Sequence, residues 1–227
     1  GVSVRYVTRA AELKQPDLIL LPGSKNTMDD LKWMRQNGLE AAIKQYAAVG
    51  KPVFGICGGY QMMGLTLADP AHVEAGGAMD GMGLLPVHTT FCADKTTTQV
   101  HGAIGHLTGM FAALTGVHID GYEIHMGETI YEPEADNFSE IQRGTRPVVD
   151  GAQCGSCYGT YVHGVFDREE VSRTLVTALL ESKGLSAHDV QTFDAETYKQ
   201  QQYDLLADAV REALDMDAIY RILNREV

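Results

Sequence analysis

The sequence predicts an α/β fold of three layers, with a mostly parallel central sheet and helices on both faces. Three observations carry this. Two short apolar runs, residues 17–21 and 53–56, have the length and unbroken hydrophobicity of strands buried on both faces. Each leads through a short loop into a helical pattern, the rhythm of parallel strands joined by crossover helices. The second run enters its helix through Gly55-Ile56-Cys57-Gly58-Gly59. Small residues around a reactive one mark a nucleophile elbow, a strand-to-helix turn too tight for flanking side chains.

Taken in order, residues 2–7 alternate like a first strand, and 10–14 read as a short turn or helix. The run at 17–21 is bounded by Pro16 and Pro22-Gly23. The polar loop Pro22-Gly23-Ser24-Lys25-Asn26-Thr27 follows, with Thr27 and Asp30 available to cap a helix over 28–36. Asn37-Gly38 ends that helix, and 39–49 forms a second, stopped by Gly50. Strand 53–56 and helix 58–65 complete the elbow. Residues 84–91, 99–107, 122–126, 138–142 and 158–162 read as β segments. Helices are expected over 168–183, where Val171, Leu175, Val176 and Leu179 share a face, and over 195–223, as one helix or two. One domain spans 1–227. The abrupt start at Gly1 suggests a fragment of a longer polypeptide.

Composition narrows the function classes. The chain has 227 residues, 44% of them hydrophobic, enough for a sizeable core. A net charge of −12 argues against nucleic acid or an anionic membrane as partner. No run approaches the ~18 apolar residues of a membrane span, and no signal peptide is visible. Four irregularly spaced cysteines do not form a disulfide framework. The cytoplasm is the expected compartment.

The chemistry centres on Cys57. At a helix N-terminus its thiolate would feel unpaired N–H groups, which lower a thiol pKa; the alternative is a buried cysteine in a glycine-rich turn. A cysteine nucleophile needs a base. Among eight histidines, His163 ends a strand beside Gly164 and is best placed, with His125 as competitor. Cys154-Gly155-Ser156-Cys157 has redox or zinc spacing but runs into a strand, and is read as a turn. No metal site is expected.

The segments LLPGSKNTMDDL, GICGGYQMMG, GYEIHMGET and GTYVHGVFD, in that order, resemble the class I (triad-type) glutamine amidotransferases, and within them the glutaminase domains of the cobyric acid synthase family. The resemblance covers nearly the whole chain and implies a flavodoxin-like fold. It implies that Cys57 attacks the side-chain amide of L-glutamine, with His163 as base and acid. The backbone N–H groups of Gly23 and Gly58 would hold the oxyanion, and Gln61, His125 and Met126 would line the substrate pocket. It also implies a linked N-terminal synthetase domain that uses ATP and Mg²⁺ to amidate a corrinoid; those cofactors belong to that domain and none to this one. Val165 occupies the position where the wider class has its third, acidic member, leaving Asp167, Glu123, Glu128 or a group from the partner domain to orient His163. The readings kept beside this one are a glutaminase for another amidating ligase, such as one acting on cell-wall precursors, a hydrolase of some other amide or ester, and a silent assembly domain.

Overall fold

A computed structural model describes residues 2–187 and 195–225. The chain divides into two compact units, Gly1–Gln191 and Thr192–Val227.

The first unit runs α1 (Ala10–Leu13), β1 (Ile19–Leu21), α2 (Thr27–Gln36), α3 (Leu39–Ala48), β2 (Val53–Ile56), α4 (Gly58–Met63), β3 (Thr66–Asp69), β4 (Gly77–Asp80) and β5 (Val87–Ile104). A 3₁₀ stretch, Gly109–Leu114, leads to β6 (His118–Tyr131), β7 (Ser139–Arg143), β8 (Arg146–Asp150), β9 (Ala152–Cys154), β10 (Cys157–Thr160) and α5 (Glu169–Glu181).

One sheet has the order β1-β2-β10-β9. Its first three strands are parallel, and β9 is an antiparallel edge. Central strand β2 feeds both faces, because alternate strand residues point opposite ways. Val53 joins a core cluster with Met28, Leu31, Leu39 and Ile43 of α2 and α3. Phe54 joins a second with Tyr158, Val162, and Val171 and Leu175 of α5. Helices thus cover both faces, as the sequence predicts. Phe54 sits edge-on to Phe138 with centroids 5.2 Å apart.

The second sheet has the order β4-β3-β5-β7-β8, with β6 also paired to β5. Its pairings are antiparallel except β3 with β5. The expected strands 84–91 and 99–107 overlap one long strand, β5, which spans Val87–Ile104. The polar stretch between them is carried by β6, which pairs with it from Lys95 onward after a register shift between Thr90 and Lys95.

Three local expectations fail. The cap of α2 is Asn26, whose side chain accepts from the Asp29 N–H at 3.2 Å, and Thr27 already lies inside the helix. Residues 2–7 form no strand; Val2, Val4 and Tyr6 are all exposed, and the alternation has no sheet to face. Leu20 of β1 is 44% exposed, so this strand is buried on one side only.

The second unit contains α6 (Ala195–Ala213) and α7 (Met216–Leu223), so the expected helical region is two helices. The Asp215 carboxylate caps α7 by accepting from the Ala218 N–H at 2.9 Å. Among the described residues, no helix is long and apolar enough to cross a membrane.

Candidate active site

The elbow is built as the sequence demands. Cys57 has φ 53 and ψ −112, a conformation that L residues rarely adopt and that persists only where the surroundings enforce it. Its N–H donates to the Thr160 carbonyl at 2.8 Å, and its carbonyl accepts from Gln61 N–H at 2.9 Å. These bonds fix the residue between β10 and α4. A side chain on Gly59 would collide with the Leu21 carbonyl, so the helix can lie against β1 only with glycine there.

His163 lies three residues beyond β10. It exchanges backbone hydrogen bonds with Tyr122 of β6, at 2.8 and 3.1 Å, and its ring stacks on Tyr122 with centroids 5.0 Å apart. Gly23 adjoins both predicted catalytic residues. A Cβ on Gly23 would stand 3.3 Å from His163 Cε1 and 3.7 Å from Cys57 Cβ. The structure therefore brings Cys57, His163 and the 22–27 loop together. The same loop rests on Gly58, where a Cβ would be 2.6 Å from Ser24 N.

Protonation at the site departs from the sequence expectation. Burial pushes the Cys57 thiol up; the Gly58 N–H opposes this, and the Glu74 and Glu123 carboxylates add to it. The helix-terminal N–H is thus present but outweighed by desolvation. Burial, helped by His125, pushes His163 down from 6.5. Both shifts favour a neutral thiol beside a neutral imidazole. The thiol donates to the Ile124 carbonyl of β6 at 3.6 Å, and His163 Nε2 is buried without a partner among the described residues.

Gln61 is 3% exposed and its amide is engaged. It donates to the Met126 carbonyl at 3.1 Å and the Tyr161 hydroxyl at 3.2 Å, and accepts from the Thr27 hydroxyl at 3.1 Å. β6 therefore passes the whole site: Tyr122 backs His163, Ile124 takes the thiol, and Met126 takes Gln61. Tyr161→Phe removes the hydroxyl that meets both Gln61 and Thr129. We expect a loss of about 1–3 kcal/mol, from the buried amide left short of a partner, measurable as a lower denaturant midpoint.

His125 stacks on Tyr161 with centroids 3.8 Å apart. Its Nε2 is 3.7 Å from Glu123 Oε1, an electrostatic contact too long for a hydrogen bond. Glu123 is fully buried and held by an Arg143 fork at 2.5 and 2.7 Å. Burial alone would raise its pKa, but His125 and Arg143 outweigh that and hold it below the usual carboxylate value. Val165 is buried in the apolar core, as expected of a residue with no role in orienting an imidazole. Of the three acidic candidates, Glu128 is exposed and Asp167 lies against Gly164. Glu123 is the one whose charge bears on Cys57.

Sequence reasoning missed Glu74. It accepts from the Thr27 hydroxyl and Met28 N–H, both at 3.2 Å, beside Gln61. Asp69 shapes its loop by accepting from the N–H groups of Val73, Glu74 and Gly76 at 2.7–2.9 Å. An acid followed by a Gly-rich turn was the available signal. Among the described residues, no group of three or more His, Cys, Asp or Glu side chains could hold a metal ion.

Residues 1–171 match the CobB/CobQ-like glutamine amidotransferase domain. The chain is 52% identical to a cobyric acid synthase of Ruminiclostridium cellulolyticum, over 99% of this chain and 45% of that protein. It is 46% identical to a cobyric acid synthase of Salmonella arizonae, over 99% and 44%. It thus spans about half the length of the curated relatives it matches. In fold it is similar to PurLQS from Thermotoga maritima, with a TM-score of 0.54 and 17% identity over 75% of this chain and 82% of that one. The match over 1–171 and the identity to these relatives make the chain a member of the CobB/CobQ-like glutamine amidotransferase family, a glutamine-hydrolysing enzyme domain.

Proposed function

We propose that this domain hydrolyses glutamine at Cys57 and supplies ammonia to a cobyric acid synthase. The observation that carries the reading is the strained Cys57 elbow, with Gly23 next to both Cys57 and His163. Because thiol and imidazole are both held neutral, His163 takes the thiol proton as sulfur attacks the carboxamide carbon. The proton then goes to the leaving ammonia, and a glutamyl thioester remains. His163 next takes a proton from water, which attacks the thioester; glutamate leaves and the thiol is restored. The N–H groups of Gly58 and Gly23 hold the oxyanion in both halves.

His125 and Met126 line the glutamine pocket, with Gln61 as its inner wall. Glu74 and Thr27 offer acceptors for the amino-acid end of the substrate. Glu123 orients His125 and keeps negative charge near the site. The ammonia passes to an N-terminal synthetase domain that uses ATP and Mg²⁺ to amidate corrin-ring carboxylates, in the cytoplasm. Similarity to cobyric acid synthases along nearly the whole chain supports this client.

Mass spectrometry after treatment with 6-diazo-5-oxo-norleucine, a glutamine-like electrophile, tests the reading. The expected result is one adduct on Cys57, suppressed by glutamine. Labelling elsewhere, or labelling indifferent to glutamine, contradicts it. The pH profile gives a second test. Attack needs neutral His163, whose pKa lies below 6.5. Activity is therefore full above that depressed value and lost as pH falls through it. An acid limb of kcat/KM centred above 6.5 would sink the assignment.

A further inference from the structure

β9 and β10 form a hairpin through the two-residue turn Gly155-Ser156. Gly155 has φ +56 and Ser156 does not enter the left-handed region, the pattern of a II′ turn with glycine first. This turn sets Cys154 directly opposite Cys157. Opposed residues on antiparallel strands point to one face, with Cα atoms ~4.5–5.5 Å apart, inside the ~4.4–6.8 Å that a disulfide spans. Both cysteines are free thiols.

Their surroundings divide the labour. Cys154 is exposed on the edge strand, while Cys157 is 6% exposed and packs into the core. Burial, with Cys154 beside it, pushes the Cys157 thiol up to about 11. We propose that Cys154 and Cys157 form a thiol–disulfide modification site that closes a cross-strand disulfide when it meets a small-molecule disulfide. The exposed thiol is the entry point. The Cys154 thiolate attacks one sulfur of the small disulfide, forming a mixed disulfide as the first small thiolate leaves. Cys157 then attacks the Cys154 sulfur and displaces the second. The two cysteine protons pass to the two departing thiolates, so the small disulfide gains the two electrons that the pair loses. Cys157 is a poor attacker in bulk terms, but the turn holds it next to its target, and proximity of this kind offsets low intrinsic reactivity.

The location gives the site a consequence. β10 carries Cys157 at one end and, at the other, the Thr160 carbonyl that anchors the Cys57 N–H. A closed disulfide ties the edge strand to the strand that supports the nucleophile.

Peptide mapping of the full-length protein tests this. The protein is incubated with glutathione disulfide, unfolded, alkylated and digested. We expect the peptide holding both cysteines to lose two hydrogens and escape alkylation, and to accept two alkyl groups after reduction. In Cys154→Ser, Cys157 should be fully alkylated without reduction. The proposal is overturned if Cys154 keeps a glutathione while Cys157 is alkylated, or if both remain free.

Discussion

Cys57→Ala is expected to lower glutamine hydrolysis by about 10⁶-fold in kcat while the fold persists, because loss of a nucleophile removes the covalent route altogether. The substitution removes one sulfur at a site 7% exposed, whose hydrogen bond is a weak S–H donation to the Ile124 carbonyl. The backbone bonds to Thr160 and Gln61 do not involve the side chain and survive. Alanine must still adopt φ 53, as cysteine does, so the strain is carried over rather than created. Steady-state ammonia release and a denaturant melt of the same variant separate the two effects. Residual turnover within tenfold of the parent would mean that the thiol is not the attacking group. Loss of the melt would mean that the side chain holds the elbow together.

The elbow was legible because its constraint is local. Glycines around one reactive residue, between an apolar strand and a helix, leave few other conformations, and the observed φ of Cys57 is what such a turn requires. His163 was legible as a strand-end histidine followed by glycine, and the 22–27 loop as a break after a buried run. What the sequence hid depends on long-range assembly. Glu74 reaches the site only because three N–H groups wrap around Asp69. The contacts of β6 to the thiol and to Gln61 are made by main-chain carbonyls, which carry no residue signal. The thiol pKa went the other way because helix-end chemistry was read without the desolvation that packing adds. Alternation over 2–7 misled for the opposite reason: a period of two predicts a strand only where a neighbour supplies the ladder. The β5 strand shows the converse, since its polar middle falls between the expected strands and is kept extended by β6 from Lys95 on.

Gly58→Ala should lower kcat by roughly 10²–10³-fold, the cost of losing one oxyanion donor, with a smaller change in KM. The new methyl would stand 2.6 Å from Ser24 N and 3.2 Å from Ser24 Cα, which are backbone atoms and cannot rotate aside. Either α4 or the 22–27 loop must shift. α4 is the more firmly held: it carries Tyr60 and Met63, both fully buried, and Gly59 already lies against Leu21. The loop therefore yields. It is tied down by polar contacts of Ser24 with Asp30 and with Asn26 N–H, the latter at 3.1 Å. Its displacement carries Gly23 away from Cys57 and His163, which it adjoins. A thiol that still alkylates normally, in a variant that hydrolyses glutamine poorly, is the expected signature, because the nucleophile is intact and only the receptor for the developing charge is misplaced. Equal loss of simple alkylation and of turnover would place the damage in Cys57 itself. Unchanged turnover would show that the loop glycine contributes no donor to the transition state.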